Sequence, residues 1–271
     1  MAFYGCDFIF NGRRASDFGL MLYNIGSYAQ DDVDFSVGEI VEDRISRRYD
    51  SLLYGLVQNE PLQFRLVFGM DPDDLEGEAH LTRSEIADIT EWLTGHRSYK
   101  ILKIDQADMS GYRSHAMVTG LQLIADGGLP TAFSAEITCD SPFAYKDPLT
   151  YILNLSSTQG VLFPLDNHSQ TNGYYYPVFE AEVSGCTYLS FENASDGNRI
   201  MRIDNIPTDS NHVIRIDCQN QIITSSLGYN LYPGFNKTFL RLVPGENNIL
   251  ITTDGSGTLS TICEYPVNIG A

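Results

Sequence analysis

The sequence predicts a mainly β protein with one short helix, built as two domains. The expected layout is a split β-barrel or sheet carrying the helix over residues 1–145, then a β-sandwich over 146–271. Three observations lead there. A length of 271 residues suits two domains better than one or three. Only one segment has both helical periodicity and a capping pattern, while most other apolar runs are short and bounded by turn residues. Pro142 and Pro148 punctuate the chain where the pattern changes.

Residues 3–10 alternate imperfectly and are rich in Phe, which predicts a strand, and Asn11-Gly12 is a hairpin turn signal. Residues 18–25 read as a second apolar strand. Residues 27–50 are polar and charged, with Asp31, Asp32, Asp34, Glu39, Glu42 and Asp43 beside Arg44, Arg47 and Arg48. Such a stretch forms no core of its own. It is expected to be an exposed hairpin, or an arm that gains order on a neighbour. Ser51 to Val57 and Leu62 to Phe68 read as strands, the second with Leu62, Phe64, Leu66 and Phe68 on one face. Asp71-Pro72-Asp73-Asp74-Leu75-Glu76-Gly77-Glu78 is an acidic loop. Leu75 and the misplaced glycine break the EF-hand pattern, so a solvated loop is expected and no metal.

The helix is predicted from about Arg83 to Thr94. Thr82 and Glu85 have capping-box spacing. Ile86, Ile89, Trp92 and Leu93 share a face, which places the single tryptophan in a core. Gly95 is expected to end the helix in the left-handed conformation. Tyr99 to Ile104, Ser114 to Ile124 and Thr131 to Thr138 read as strands, with a turn at Asp126-Gly127-Gly128.

After Tyr151 the strands recur about every 10 residues, the spacing of a sandwich. They are Tyr151 to Leu155, Tyr176 to Val183, Thr187 to Phe191, Ile200 to Ile203, His212 to Asp217, Gln221 to Ser225, Thr238 to Leu242, Asn248 to Thr253 and Leu259 to Tyr265. Pro244-Gly245 is expected to join two of them through a tight turn, and Asp254-Gly255-Ser256-Gly257-Thr258 to form a glycine-rich hairpin.

Composition excludes several functions. Net charge is −18, with 35 acidic side chains against 17 basic. That disfavours a grip on nucleic acid or adsorption to anionic lipid. An acidic surface could instead keep DNA from sticking as it slides past, although solubility alone accounts for acidity equally well. No apolar run approaches the ~18 residues of a transmembrane helix. The N-terminus lacks a secretory layout, so folding in a cytosol is expected. Cys6, Cys139, Cys186, Cys218 and Cys263 are widely spaced and read as small buried thiols. His80, His96, His115, His168 and His212 have no metal-ligand spacing. No nucleophile elbow or phosphate loop is present. Tyr174-Tyr175-Tyr176 is the one aromatic cluster suited to a sugar, with Tyr174 and Tyr176 on one side of an alternating strand and Tyr175 on the other. A subunit contact or core packing fits the cluster better.

Several local motifs occur in a telling order. Phe8-Ile9-Phe10-Asn11-Gly12 and Ser16-Asp17-Phe18-Gly19-Leu20 open the chain. Trp92-Leu93-Thr94-Gly95 and the strand from Ser98 to Ile104 follow. Ile137-Thr138-Cys139-Asp140-Ser141-Pro142-Phe143-Ala144-Tyr145 closes the first half. Together they resemble the siphophage distal tail protein (Dit) family. In the second half, Arg215-Ile216-Asp217-Cys218 followed by Leu242-Val243-Pro244-Gly245-Glu246-Asn247 resembles the family's peripheral, galectin-like sandwich.

The resemblance implies a structural hub of the phage tail tip, without catalysis or cofactor. It implies a ring of six built by the N-terminal domains, placed between the tail tube protein and the tail-associated lysin or tail-tip protein. The tape measure protein would end nearby, receptor-binding proteins are possible further partners, and DNA would pass through the channel without specific binding or membrane insertion. Assembly would take place in the host bacterial cytoplasm. Asp31, Asp32, Asp34, Asp71, Asp73 and Asp74 are the candidate channel-lining acids, and Tyr174 and Tyr176 the candidate sugar or partner contacts. The second half departs from a working galectin, having no tryptophan and no His-Asn-Arg sugar-binding set. The main rival is a carbohydrate- or receptor-binding baseplate module; a tail tube subunit and a cell-wall enzyme are the others.

Overall fold

A computed structural model of the chain describes residues 7–23, 39–57, 60–70, 80–156, 160–171 and 173–269. The chain divides into two compact units, Met1–Lys146 with Asn268–Ala271, and Asp147–Val267. Both are built from antiparallel β-strands, as the sequence predicts.

In the first unit the strands are β1 (Asp7–Phe10), β2 (Arg13–Arg14), β3 (Leu20–Leu22), β4 (Glu39–Asp43), β5 (Leu52–Val57), β6 (Gln63–Met70), β7 (Lys100–Asp105), β8 (Tyr112–Asp126), β9 (Leu129–Cys139) and β10 (Ala144–Lys146). The main sheet runs β2-β1-β7-β8-β9-β6-β3, and β10 pairs with β8. Among the described residues, β4 and β5 pair only with each other. Asn11 and Gly12 both take positive φ, 50° and 79°, which a tight two-residue hairpin requires. The chain then turns sooner than predicted. β2 is followed by a 3₁₀ turn at Ser16–Phe18 and the short β3, which takes up the middle of the strand expected over 18–25; residues 24 and 25 lie outside the described residues. Buried Asp7 holds that turn by accepting bonds from the Ser16 amide (3.2 Å), the Ser16 hydroxyl (2.8 Å) and Arg14 (3.1 Å).

The helix α1 (Arg83–Thr94) has the predicted capping box. The Glu85 amide donates to Thr82 Oγ1 at 3.3 Å, and the Thr82 amide donates back to Glu85 Oε2 at 2.7 Å. Trp92 lies in the core against Phe18 at 4.6 Å and Phe8 at 5.7 Å, both stacked, and its indole N–H donates to the Phe10 carbonyl at 2.9 Å. This contact joins helix to sheet through packing and a satisfied polar group. Gly95 corrects the expectation for the helix end. Its φ is −69°, not left-handed, and a β-carbon there would stand 2.6 Å from the Glu91 carbonyl. Glycine is needed for close approach, because its amide donates to that same carbonyl at 2.8 Å.

The second unit contains β11 (Leu149–Leu155), β12 (Val161–Asn167), β13 (Val178–Ser184), β14 (Tyr188–Asn193), β15 (Arg199–Asp204), β16 (His212–Asp217), β17 (Ile222–Ser225), β18 (Gly245–Thr253) and β19 (Ser256–Cys263). They form two sheets, β11-β19-β13-β16-β17 and β12-β18-β14-β15. Alternation fills one core, with Phe179, Ala181 and Val183 inward and Glu180 and Glu182 outward. Phe179 stacks on Phe191 at 5.0 Å.

Three expectations fail here. β12 was not predicted because Pro164 interrupts its apolar run; it lies at a sheet edge, where a missing N–H is tolerated. Thr238 to Leu242 is not a strand. Only Leu242 bridges, to Tyr175, while the carbonyls of Phe239 and Arg241 are taken by Arg199 (2.7 Å) and Asn193 (2.9 Å) side chains instead of a ladder. Pro244-Gly245 therefore leads from a bridge into β18. Asp254-Gly255 does not close a hairpin either, since β18 and β19 belong to different sheets. Asp254 fastens this crossing by accepting the Thr187 amide at 2.7 Å and the Thr187 hydroxyl.

Candidate assembly surfaces

The β4–β5 hairpin is the most unusual surface of the first unit. A two-stranded ribbon alone is at best marginally stable in water. Here Glu39 to Asp50 are all exposed. Ile40, Val41, Ile45, Leu53 and Tyr54 present apolar side chains to solvent, Leu53 at 68% exposure. A bulge between Val41 and Glu42 twists the ribbon, with Gly55 at φ 143° opposite. Polar contacts hold its end: Ser51 Oγ donates to Glu42 at 2.7 Å, and Tyr54 donates to Asp43 at 3.1 Å. The Ser51 bond, with smaller help from Arg44, lowers the Glu42 pKa. Arg44, Arg47 and Arg48 collect at the turn, where Arg47 has φ 72°.

A second surface lies between α1 and the long β8–β9 hairpin. Ile86, Ala87, Leu123 and Pro130 line a groove of about 620 Å³, with His80 and Arg83 at its rim. The Leu81 amide donates to the Pro130 carbonyl at 2.7 Å and so fixes the helix start to the hairpin. The hairpin turns at Gly127-Gly128, both with positive φ, as Asp126-Gly127-Gly128 predicted. Leu123 and Leu129 remain about half exposed there.

The third surface is in the second unit. The Arg241 guanidinium lies 3.6 Å over the Tyr174 ring, a cation–π contact. Asp196 holds that guanidinium with two bonds, 2.8 and 3.1 Å, and these bonds chiefly raise the Arg241 pKa. Tyr174 and Tyr176 are exposed, whereas Tyr175 packs on Tyr265 at 4.8 Å and accepts the Glu264 amide at 3.0 Å. Burial pushes the Tyr175 phenol far above its ordinary pKa. The alternation read from the sequence places Tyr174 and Tyr176 outward. Arg241 and Asp196 had no local signal; 45 residues separate them and only the fold joins them.

Asp31, Asp32, Asp34, Asp71, Asp73 and Asp74 lie outside the described residues. Among the described residues, no group of three His, Cys, Asp or Glu side chains could hold a metal, and no helix is long and apolar enough to cross a membrane. Cys139, Cys186, Cys218 and Cys263 are buried free thiols, and burial raises the Cys139 pKa to about 11 and that of Cys218 to about 12. His115 pairs with Asp140 at 3.1 Å and stacks on Tyr145, while His212 is buried with Nε2 2.7 Å from Ser225 Oγ. Both contacts fasten local structure.

These features define a two-unit, mainly β protein with one helix and several exposed apolar and aromatic surfaces. Comparison with known proteins gives the family. A phage tail protein N-terminal domain matches residues 3–141, and a phage tail C-terminal domain matches residues 143–263. The chain belongs to this phage tail protein family and is therefore a component of the virion tail. No curated protein matches the sequence. A solved structure with a similar fold is that of the SPP1 Dit (gp 19.1) protein, described as a paradigm of the hub adsorption apparatus in phages infecting Gram-positive bacteria. The TM-score is 0.64 at 10% identity, over 96% of this chain and 98% of that one. The family match and the shared fold uphold the resemblance to distal tail proteins.

Proposed function

We propose that this protein is the structural, non-catalytic hub of a phage tail tip. Six copies form a closed ring through their N-terminal domains, taken as residues 1–145, and the ring joins the tail tube protein to the tail-associated lysin or tail-tip protein. The sandwiches over 146–271 are galectin-like in shape and point outward. The protein assembles in the host bacterial cytoplasm. The observation that carries this reading is the β4–β5 hairpin, which exposes Ile40, Val41, Leu53 and Tyr54 and has no third strand among the described residues. Apolar surface of that kind is stabilised by association. Immobilised protein should retain purified tail tube protein and tail-tip lysin; failure to retain either would contradict the hub.

The acids Asp31, Asp32, Asp34, Asp71, Asp73 and Asp74 are proposed to line the DNA channel, because a negative wall repels a negative polymer. Reversing each cluster should slow DNA ejection, and unchanged ejection would remove them from the channel. One observation favours a second reading, a carbohydrate- or receptor-binding module. Tyr174 lies under an arginine that Asp196 fixes in place, and Tyr176 is exposed two residues on, which suits an aromatic platform. Retention on a glycan array that is lost in Tyr174→Ala would favour it.

A further inference from the structure

We infer that β11 is a docking edge, where an extended, uncharged segment of another tail protein adds a strand to the sandwich. The inference rests on the hub reading and names one of its contacts. It starts from the four sheet edges of the second unit, β11, β17, β12 and β15. An open edge presents unpaired N–H and C=O groups, so proteins close their edges with proline, charge, a bulge or a covering group. Three of these four are closed. Asn236 covers β15: its amide donates to the Arg202 carbonyl at 3.0 Å, its side-chain nitrogen donates to the Ile200 carbonyl at 2.9 Å, and its side-chain oxygen accepts the Arg202 amide at 3.1 Å. Tyr232 covers β17, where its hydroxyl accepts the Ile223 amide at 2.9 Å and donates to the Gln221 carbonyl at 3.3 Å. β12 carries Pro164, which has no N–H, and the exposed Asp166.

β11 has none of these devices. Its seven residues, Leu149–Leu155, include no proline and no charge, and its register against β19 is unbroken. Among the described residues no strand pairs with its other side. Its side chains leave apolar surface for an added strand to cover. Ile152 is 68% exposed and Ile262 of β19 59% exposed. Ile262 stands opposite Thr150, so the two isoleucines are diagonal neighbours on the outward face. On the inward side Tyr151 and Leu153 are only partly buried against the core. A charge set beside these side chains would lose water without gaining a partner, so the added strand is uncharged there. β-branched and aromatic residues fit both of its faces.

The occupant is a different chain. Neighbouring copies in a ring meet through different patches. A neighbouring sandwich would have to offer an edge other than β11, and its other three are closed. The β4–β5 ribbon is defended as well, by its bulge and by Glu39, Glu42 and Asp43 on β4.

The test uses the full-length chain and overlapping synthetic peptides that span the phage's other tail proteins. Peptides with an uncharged, alternating core should bind, and the amides of Leu149–Leu155 should then gain protection from hydrogen exchange. Ile152→Lys sets a charge on the edge and leaves the core alone. Its melting temperature should match the parent's, while its peptide affinity should fall at least tenfold. Ile222→Lys makes the same change on the closed strand β17 and should bind as the parent does. The docking edge is overturned if no peptide binds, or if binding leaves Leu149–Leu155 unprotected and Ile152→Lys unaffected. Self-association that is lost in Ile152→Lys would assign the edge to a second copy and overturn it too. Retention of whole tail tube and tail-tip proteins tests the hub separately. Retention with no effect at β11 overturns the edge alone, and no retention overturns the hub.

Discussion

Trp92 shows how one side chain decides the first unit's core. It stacks on Phe8 and Phe18 and donates its N–H to Phe10, so deletion removes both the ring packing and this buried hydrogen bond. Trp92→Ala should destabilise the fold by about 3–5 kcal/mol in denaturant titration. A loss under 1 kcal/mol would mean that this contact does not join helix to sheet. The capping box gives a pH-dependent counterpart. The Thr82 amide, then the Thr82 hydroxyl, donate to Glu85 and lower its pKa below the ordinary 4.5. A lowered folded-state value stabilises above the unfolded value, and the contribution is lost as pH falls through the folded one. Glu85→Gln should therefore be less stable than the parent at pH 6, with the gap closing toward pH 3. Thr82→Ala should cost about 1 kcal/mol at neutral pH. A gap that does not change with pH would contradict the carboxylate's role in the cap.

The same contrast between local and distant causes appears among the elements. α1 was legible because its cap and apolar face lie within a few turns of chain. The β1–β2 and β8–β9 turns were legible because Asn11-Gly12 and Gly127-Gly128 carry the needed φ. β12 escaped because Pro164 disguises an edge strand. Thr238 to Leu242 mimicked a strand because its side chains alternate, while its carbonyls bond to Asn193 and Arg199 from distant sequence. Of the candidate surfaces, the described part of the polar stretch, residues 39–50, was legible as an exposed arm or hairpin and the Tyr174 platform only in half, since its arginine and aspartate come from elsewhere. For the β4–β5 hairpin, exposure on both strands predicts fast amide exchange in a dilute monomer. Its amides should gain protection in the assembled state, in line with the cover proposed for it. Equal exchange in both states would place the hairpin outside the interface.

At the scale of the whole molecule, two β units place different surfaces in one chain. The first carries an exposed apolar hairpin and a groove beside the helix; the second carries the aromatic–arginine patch. The central claim is closure into a ring, and ring number depends on the angle between neighbouring contacts. The most direct measurement is the mass of the purified protein by light scattering, with negative-stain images of the same sample. The expected result is a closed ring of about six times the 30.2 kDa chain, or two such rings back to back. A monomer over a wide concentration range, with no rings in the images, would contradict self-assembly and make the binding module the better account.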